Sequence, residues 1–193
     1  MILRMYVTLM PVIFAGAANM LFTKTKLYKM GSNPIDGGFI CKDGKRLFGE
    51  NKTWAGFFGM IFFGAFFQIL WGIINNFSEH MKSMNELYYE LENTLIFNLC
   101  VGALFGLAYV LFELPNSFIK RRLNIIPGKT GKGIKGKIFF VVDQIDSLIG
   151  VVGVLAFFSK MTIIKYCMYI FLGAFTHIAV NMILYALKIR KNI

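Results

Sequence analysis

Apolar residues run along this chain in five long stretches, roughly Met5–Phe22, Trp54–Ile74, Thr94–Leu114, Ile138–Phe158 and Tyr166–Leu187. Each approaches the ~20 residues that a helix needs to cross a bilayer's hydrocarbon core. Backbone groups in lipid must bond within their own segment, so the stretches are expected to be helices. Of the 193 residues, 56% are hydrophobic, where a soluble domain of this length would show shorter apolar runs broken by polar faces. The expected fold is an all-α polytopic membrane protein, one domain over residues 1–193, with about five transmembrane helices and two basic cytoplasmic loops.

Charge orients that bundle. The formal net charge is +11. Between the first two stretches lie Lys24, Lys26, Lys29, Lys42, Lys45, Arg46 and Lys52. Between the third and fourth lie Lys120, Arg121, Arg122, Lys129, Lys132, Lys135 and Lys137, while Lys188, Arg190 and Lys191 close the chain. The second connection instead carries Glu79, Glu86, Glu90 and Glu92 with only Lys82. Positive-inside bias then places the N-terminus outside, and both basic loops and the C-terminus in the cytoplasm. Arg4 opposes this and is outweighed. The first stretch continues to Phe22 before its basic flank, which suits a retained anchor better than a cleaved signal peptide. Cys41, Cys100 and Cys167 show no paired spacing, so neither a disulfide framework nor a zinc site is expected.

Two constellations carry candidate chemistry. Glu113 ends the third stretch, and Asp143 and Asp146 open the fourth, around Ser117 and the run Lys120-Arg121-Arg122. A carboxylate at membrane depth is expensive unless paired, and so marks a functional site by default. The expectation is that the third helix leaves the membrane near Glu113 and the fourth enters near Asp143. Asp143, Asp146 and Ser147 would share one helix face. Such oxygen donors suit Mg²⁺, which takes one or two carboxylates together with substrate phosphates. The bland alternative is that the acids pair with Lys120 or Arg121 and lock two helices together. The Gly/Lys loop at 127–137 fails the phosphate-loop pattern, because Ile138 stands where Ser or Thr is required. It suits a basic lid over a triphosphate and a cationic contact with lipid headgroups about equally. The second constellation runs Pro34-Ile35-Asp36, Asp43-Gly44-Lys45-Arg46, Gly49, then Lys52-Thr53-Trp54-Ala55-Gly56. Its glycines let backbone amides approach an anion, although an ordered turn carrying positive-inside charge reads equally well. Gly102 and Gly106 form a GxxxG step that allows a close helix neighbour. His177 and Asn181, four apart on the fifth stretch, could touch a headgroup, but they and Gln68 and Asn98 are assigned to interhelical hydrogen bonding, the commoner use of such residues in membranes.

Taken in order around five helices, these motifs resemble the CDP-archaeol synthase family, relatives of the bacterial phosphatidate cytidylyltransferases. The first loop is similar to that family's P-I-D…D-G-K-R…G…K-T-W-x-G segment. Glu113, Ser117, Lys120, Arg121, Asp143, Asp146 and Ser147 resemble the wider signature of an acid, a serine, Lys-Arg and D-x-x-D-S. Four departures stand out. Glu113 replaces the usual Asp, Ala55 replaces a common Arg, Gln144 replaces the Arg of D-R-x-D-S, and Pro115 is expected to interrupt the helix after Leu114.

The resemblance implies transfer of a cytidylyl group from CTP to a lipid phosphate, with Mg²⁺ as cofactor. It implies metal ligation by Asp143, Asp146 and Glu113, and catalytic work by Lys120, Arg121 and Ser117. Phosphate or nucleotide contacts would come from Asp36, Lys45, Arg46, Lys52, Thr53 and Arg122. The expected partners are CTP, the lipid phosphate and the bilayer, with no nucleic acid; a homodimer is compatible with the sequence, which does not decide oligomeric state. A small transporter or channel is the competing reading, because intramembrane acids also line ion paths.

Overall fold

The computed structural model describes residues 1–129 and 131–188; Thr130 of the Gly/Lys loop, and Arg190 and Lys191 of the tail, lie outside the described residues. It contains seven α-helices in chain order: α1 (Ile2–Phe22), α2 (Lys26–Met30), α3 (Trp54–Asn76), α4 (Glu79–Met84), α5 (Leu95–Arg122), α6 (Gly133–Phe158) and α7 (Ile163–Ala186). Among the described residues there is no strand, only isolated bridges joining Pro34 to Thr53 and Ile40 to Arg46. α1, α3, α5, α6 and α7 are long and apolar enough to cross a membrane. The chain is an integral membrane protein of the expected all-α class.

Hydroxyl residues set where several helices begin. Thr53, Thr94 and Thr162 precede α3, α5 and α7, and each accepts a hydrogen bond from a first-turn amide, Gly56, Phe97 and Lys165 respectively. An N-cap of this kind satisfies a donor that has no partner inside the helix. α5 lies between α3 and α6, with α1 against α3 and α7 against α6. In lipid, helices associate through packing rather than hydrophobic burial. The GxxxG step supplies that packing here. A Cβ at Gly102 would sit 2.5 Å from the Gly64 carbonyl oxygen, and one at Gly106 2.4 Å from that of Met60. The close neighbour is therefore α3.

The end of the bundle where α5 begins is plugged from within. Leu87 is fully buried, and the Glu86 amide donates to Thr8 Oγ1 at 3.0 Å. Lys165 meets the Glu86 carboxylate at 2.8 Å. Gln68 donates to Asn98 Oδ1 at 3.1 Å, the interhelical role expected of both residues.

Two expectations need correction at the other end. α5 does not stop at Leu114 but runs through Pro115 to Arg122. Proline removes one backbone donor, a real cost, but the cations Lys120, Arg121 and Arg122 suit the negative end of the helix, and Asn116 and Ser117 beyond it are buried. α6 starts at Gly133 rather than Ile138. The acids therefore lie well inside two long helices rather than at their exits. Most of the second loop's basic residues likewise sit on helices, leaving Lys129 and Lys132 in the connection itself.

Candidate active site

At the end of the bundle where α5 finishes, α1, α3, α5, α6 and α7 surround two adjoining cavities. The inner one, about 230 Å³, is lined by Glu113, Asn116, Ser117, Lys120 and Arg121 from α5 and by Asp143, Gln144 and Asp146 from α6. Lys52, Lys129, His177 and Asn181 complete its polar wall. The side cavity, about 540 Å³, lies between α1, the first loop, α3 and α5, and is more neutral, with Asn19, Tyr28, Asn51, Thr53 and Phe57 on its walls. Lys52, Glu113, Asn51, Tyr109 and Gly128 belong to both, so the two spaces meet there.

The extra turns of α5 and the early start of α6 bring the three acids to one place. Each has a different partner. Lys52 donates to Glu113, and Lys120 donates to both oxygens of Asp143. Asp146 has no cation in hydrogen-bond contact; it accepts from Asn116 at 2.6 Å and from the Ser147 amide at 2.7 Å. The bland alternative of helix-locking ion pairs is thus realised in part, through Lys120 and Asp143.

Arg121 is the exception. Only 8% exposed, it lines the inner cavity, yet its Nε and Nη1 have no hydrogen-bond partner among the described residues. Burying unpaired donors of a cation is costly. Gly49 fits against it: φ of 113° is a left-handed conformation, and an added Cβ would lie 3.4 Å from Arg121 Nη1 and 2.9 Å from Pro127. The cavity wall thus carries the cations Lys52, Lys120, Arg121 and Lys129 against the acids Glu113, Asp143 and Asp146.

The other sequence candidates divide. Lys52 and Ser117 line the cavities, and so does Thr53, whose hydroxyl caps α3 and bonds Tyr28 at 2.8 Å. Asp36, Lys45, Arg46 and Arg122 line neither; they form a latch that fastens the first loop to the end of α5. Asp36 Oδ1 accepts from Arg46 at 2.6 Å and from the Gly38 amide at 3.0 Å, while Oδ2 accepts from Phe48 and Gly49 amides at 3.1 and 2.9 Å. Lys45 donates to the Arg122 carbonyl at 2.6 Å, and Arg122 meets Asp43 at 3.1 Å. Burial alone would raise the Asp36 pKa, but the Arg46 guanidinium and the three amides hold it well below the usual carboxylate range.

Asn116, Tyr109, Gln144, His177 and Asn181 line the inner cavity without having been chosen from the sequence. His177 and Asn181, four apart on α7, were visible as a pair but carried no mark distinguishing a cavity wall from a helix contact. Asn181 does donate to Gln144 Oε1, at 3.4 Å. Among the described residues no three His, Cys, Asp or Glu side chains are grouped closely enough to hold an ion. Glu113 and Asp143 each carry a lysine partner, Lys52 and Lys120, that a bound cation would have to displace. Asp143 and Asp146, joined by one amide, form a two-carboxylate donor set, with Ser147 Oγ buried next to Asp146 and without a partner among the described residues. That set fits Mg²⁺, whose other ligands are commonly substrate oxygens and water.

Five membrane-length helices around a cavity lined by cations and carboxylates define a polytopic membrane protein. A solved structure described as an intramembrane enzyme for archaeal membrane lipids biosynthesis shares this fold, with a TM-score of 0.63, 20% identity and 92% of each chain covered. The family model for CarS-like CDP-archaeol synthase matches residues 1–193. The CDP-archaeol synthase of Methanococcus aeolicus is 31% identical over 196 residues, covering 98% of this chain and 95% of its own. That of Thermococcus kodakarensis is 37% identical over 128 residues, 65% of this chain and 62% of the relative's length. The chain belongs to the CDP-archaeol synthase family. It is an enzyme, and the transporter or channel alternative finds no support.

Proposed function

We propose that this chain transfers the cytidylyl group of CTP to the phosphate of an archaeal ether lipid, forming a CDP-lipid and releasing pyrophosphate. The observation that carries the reading is Arg121, a buried guanidinium with unpartnered nitrogens on the wall of a cavity that also holds Lys52, Lys120 and the two linked aspartates. A desolvated cation without a protein partner is what a site for phosphate oxygens requires.

An oxygen of the lipid phosphate attacks the α-phosphorus of CTP, and the bond from that phosphorus to the bridging oxygen of the β-phosphate breaks. The nucleophile is already anionic near neutral pH, so no side chain need remove a proton. The difficulty is to bring anions together and to stabilise charge on departing pyrophosphate, which fixed cations do by pre-organisation. Arg121 and Lys129 meet phosphates directly. Lys52 and Lys120, paired with Glu113 and Asp143 until substrate arrives, turn toward the nucleotide, and Ser117 donates a hydrogen bond. Mg²⁺, when bound to Asp143 and Asp146, would neutralise phosphate charge and polarise the phosphoryl oxygens. The larger, more neutral side cavity suits the base and sugar. An apolar groove between α1 and α7, lined by Leu9, Val12, Ile13 and Val180, reaches the same cavity wall at Met20 and Asn181 and suits the lipid chains. The positive-inside bias of the basic residues at this end of the bundle supports a site on the cytoplasmic side, with the N-terminus outside. The latch residues Asp36, Lys45, Arg46 and Arg122 act at one remove, holding Gly49 and Lys52 in position.

Asp146→Asn tests the reading. With CTP, Mg²⁺ and the lipid phosphate, formation of CDP-lipid should fall on the order of 10³-fold, about 4 kcal/mol of barrier. Turnover near that of the wild type would discard Asp146 as a metal ligand.

A further inference from the structure

Asn116 does something that no charged residue at its position could do. It is 7% exposed, and its single amide nitrogen donates to Asp143 Oδ1 at 2.7 Å and to Asp146 Oδ2 at 2.6 Å. An Asn amide has two N–H bonds, so each is spent on one carboxylate. The orientation is forced, because a flipped amide would turn its oxygen on two carboxylates. Asn116 Oδ1 consequently points away and is buried without a partner.

Two carboxylates three residues apart on α6 repel each other, most strongly where water is scarce. Left alone, their side chains would rotate apart. A lysine between them would hold them together but cancel the charge that attracts a cation. A neutral double donor gathers the oxygens and leaves in place the charge of Asp146, which has no cation in hydrogen-bond contact among the described residues. The remaining contacts complete the fixing: Ser147 donates its amide to Asp146 Oδ1, and Lys120 spans Asp143. Asn116 comes from α5 and the acids from α6, so the bridge also sets the relation of the two helices at this depth.

We propose that Asn116 is the positioning residue of a divalent-cation site, its amide setting the separation at which Asp143 and Asp146 face one ion. This rests on the metal reading given above. Residues that orient metal ligands without touching the ion typically contribute ~10–100-fold to metal affinity.

The test measures Mn²⁺ binding to the purified full-length chain in detergent, by the loss of the free-ion paramagnetic resonance signal. Asn116→Ala removes both donors, and Asn116→Leu removes them while keeping the volume, so a fault in packing does not pass for a fault in positioning. Both variants should bind Mn²⁺ about 10–100-fold more weakly, while each remains folded before metal is added. Half-activation of CDP-lipid formation should move to higher Mn²⁺ by the same factor, with most of the turnover recovered at saturation. Binding within twofold of the wild type in either variant overturns the positioning role and leaves the metal reading intact. A wild-type chain that binds no Mn²⁺, with or without CTP, overturns the metal reading and this inference together.

Discussion

Replacing Arg121 with methionine should make the empty protein more stable and the enzyme worse. Methionine keeps most of the side chain's length and none of its charge. In the free enzyme Arg121 is buried with Nε and Nη1 unpartnered, and each buried donor left unsatisfied costs roughly 1–3 kcal/mol. Removing them should stabilise the nucleotide-free fold by about 2 kcal/mol, a rise of roughly 5 °C in Tm for a chain of this length. Once CTP arrives, the same nitrogens have phosphate oxygens to bond. Two charge-assisted bonds at about 2 kcal/mol each correspond to ~10³-fold in CTP affinity. Thermal unfolding without nucleotide and calorimetric titration with CTP measure the two effects on the same preparation. The opposite signs make the test severe. A lower Tm together with CTP affinity within threefold of the wild type would refute the argument, because Arg121 would then be a structural cation.

Asp36→Asn removes the carboxylate that anchors the latch, and loss of one partner from a buried pair should destabilise the protein by about 3 kcal/mol at neutral pH. Because the folded pKa of Asp36 lies below its unfolded value, that stabilisation is complete above about pH 4 and fades as the pH falls through the folded value. Melting temperatures of wild type and variant should therefore converge in acid, and a constant gap would contradict the assignment. Gly106→Val places methyl groups where a Cβ alone would already lie 2.4 Å from the Met60 carbonyl, so α3 and α5 must separate at a cost of about 3 kcal/mol. Gly153→Ala, whose Cβ would meet nothing closer than Tyr166 at 3.9 Å, should leave the melting temperature unchanged or slightly raised.

The five spans and the membrane class were readable from the chain because dehydration of the backbone acts on each segment separately. The start of α3 was as clear: Thr53 stands directly before an apolar run and caps it. Helix ends at the site were not. Pro115 and the polar run after it look like an exit, but α5 continues because α6 supplies partners for Asn116 and Lys120. Family motifs pointed to residues of which Glu113, Asp143 and Asp146 all line one cavity. They did not separate residues that reach the cavity from residues that hold the loop, since Lys45 and Lys52 are the same chemistry seven positions apart.

By itself the sequence determined how many times the chain crosses the bilayer, where its charge accumulates and which acids needed a reason to be there. Tertiary structure alone decided which of those charges neutralise one another. Arg46 is consumed by Asp36 and Lys120 by Asp143, while Arg121, adjacent to Lys120 in the chain, keeps Nε and Nη1 without a partner among the described residues. The reason is geometric: consecutive residues on a helix point about 100° apart, so neighbours in sequence face different surroundings once another helix packs beside them.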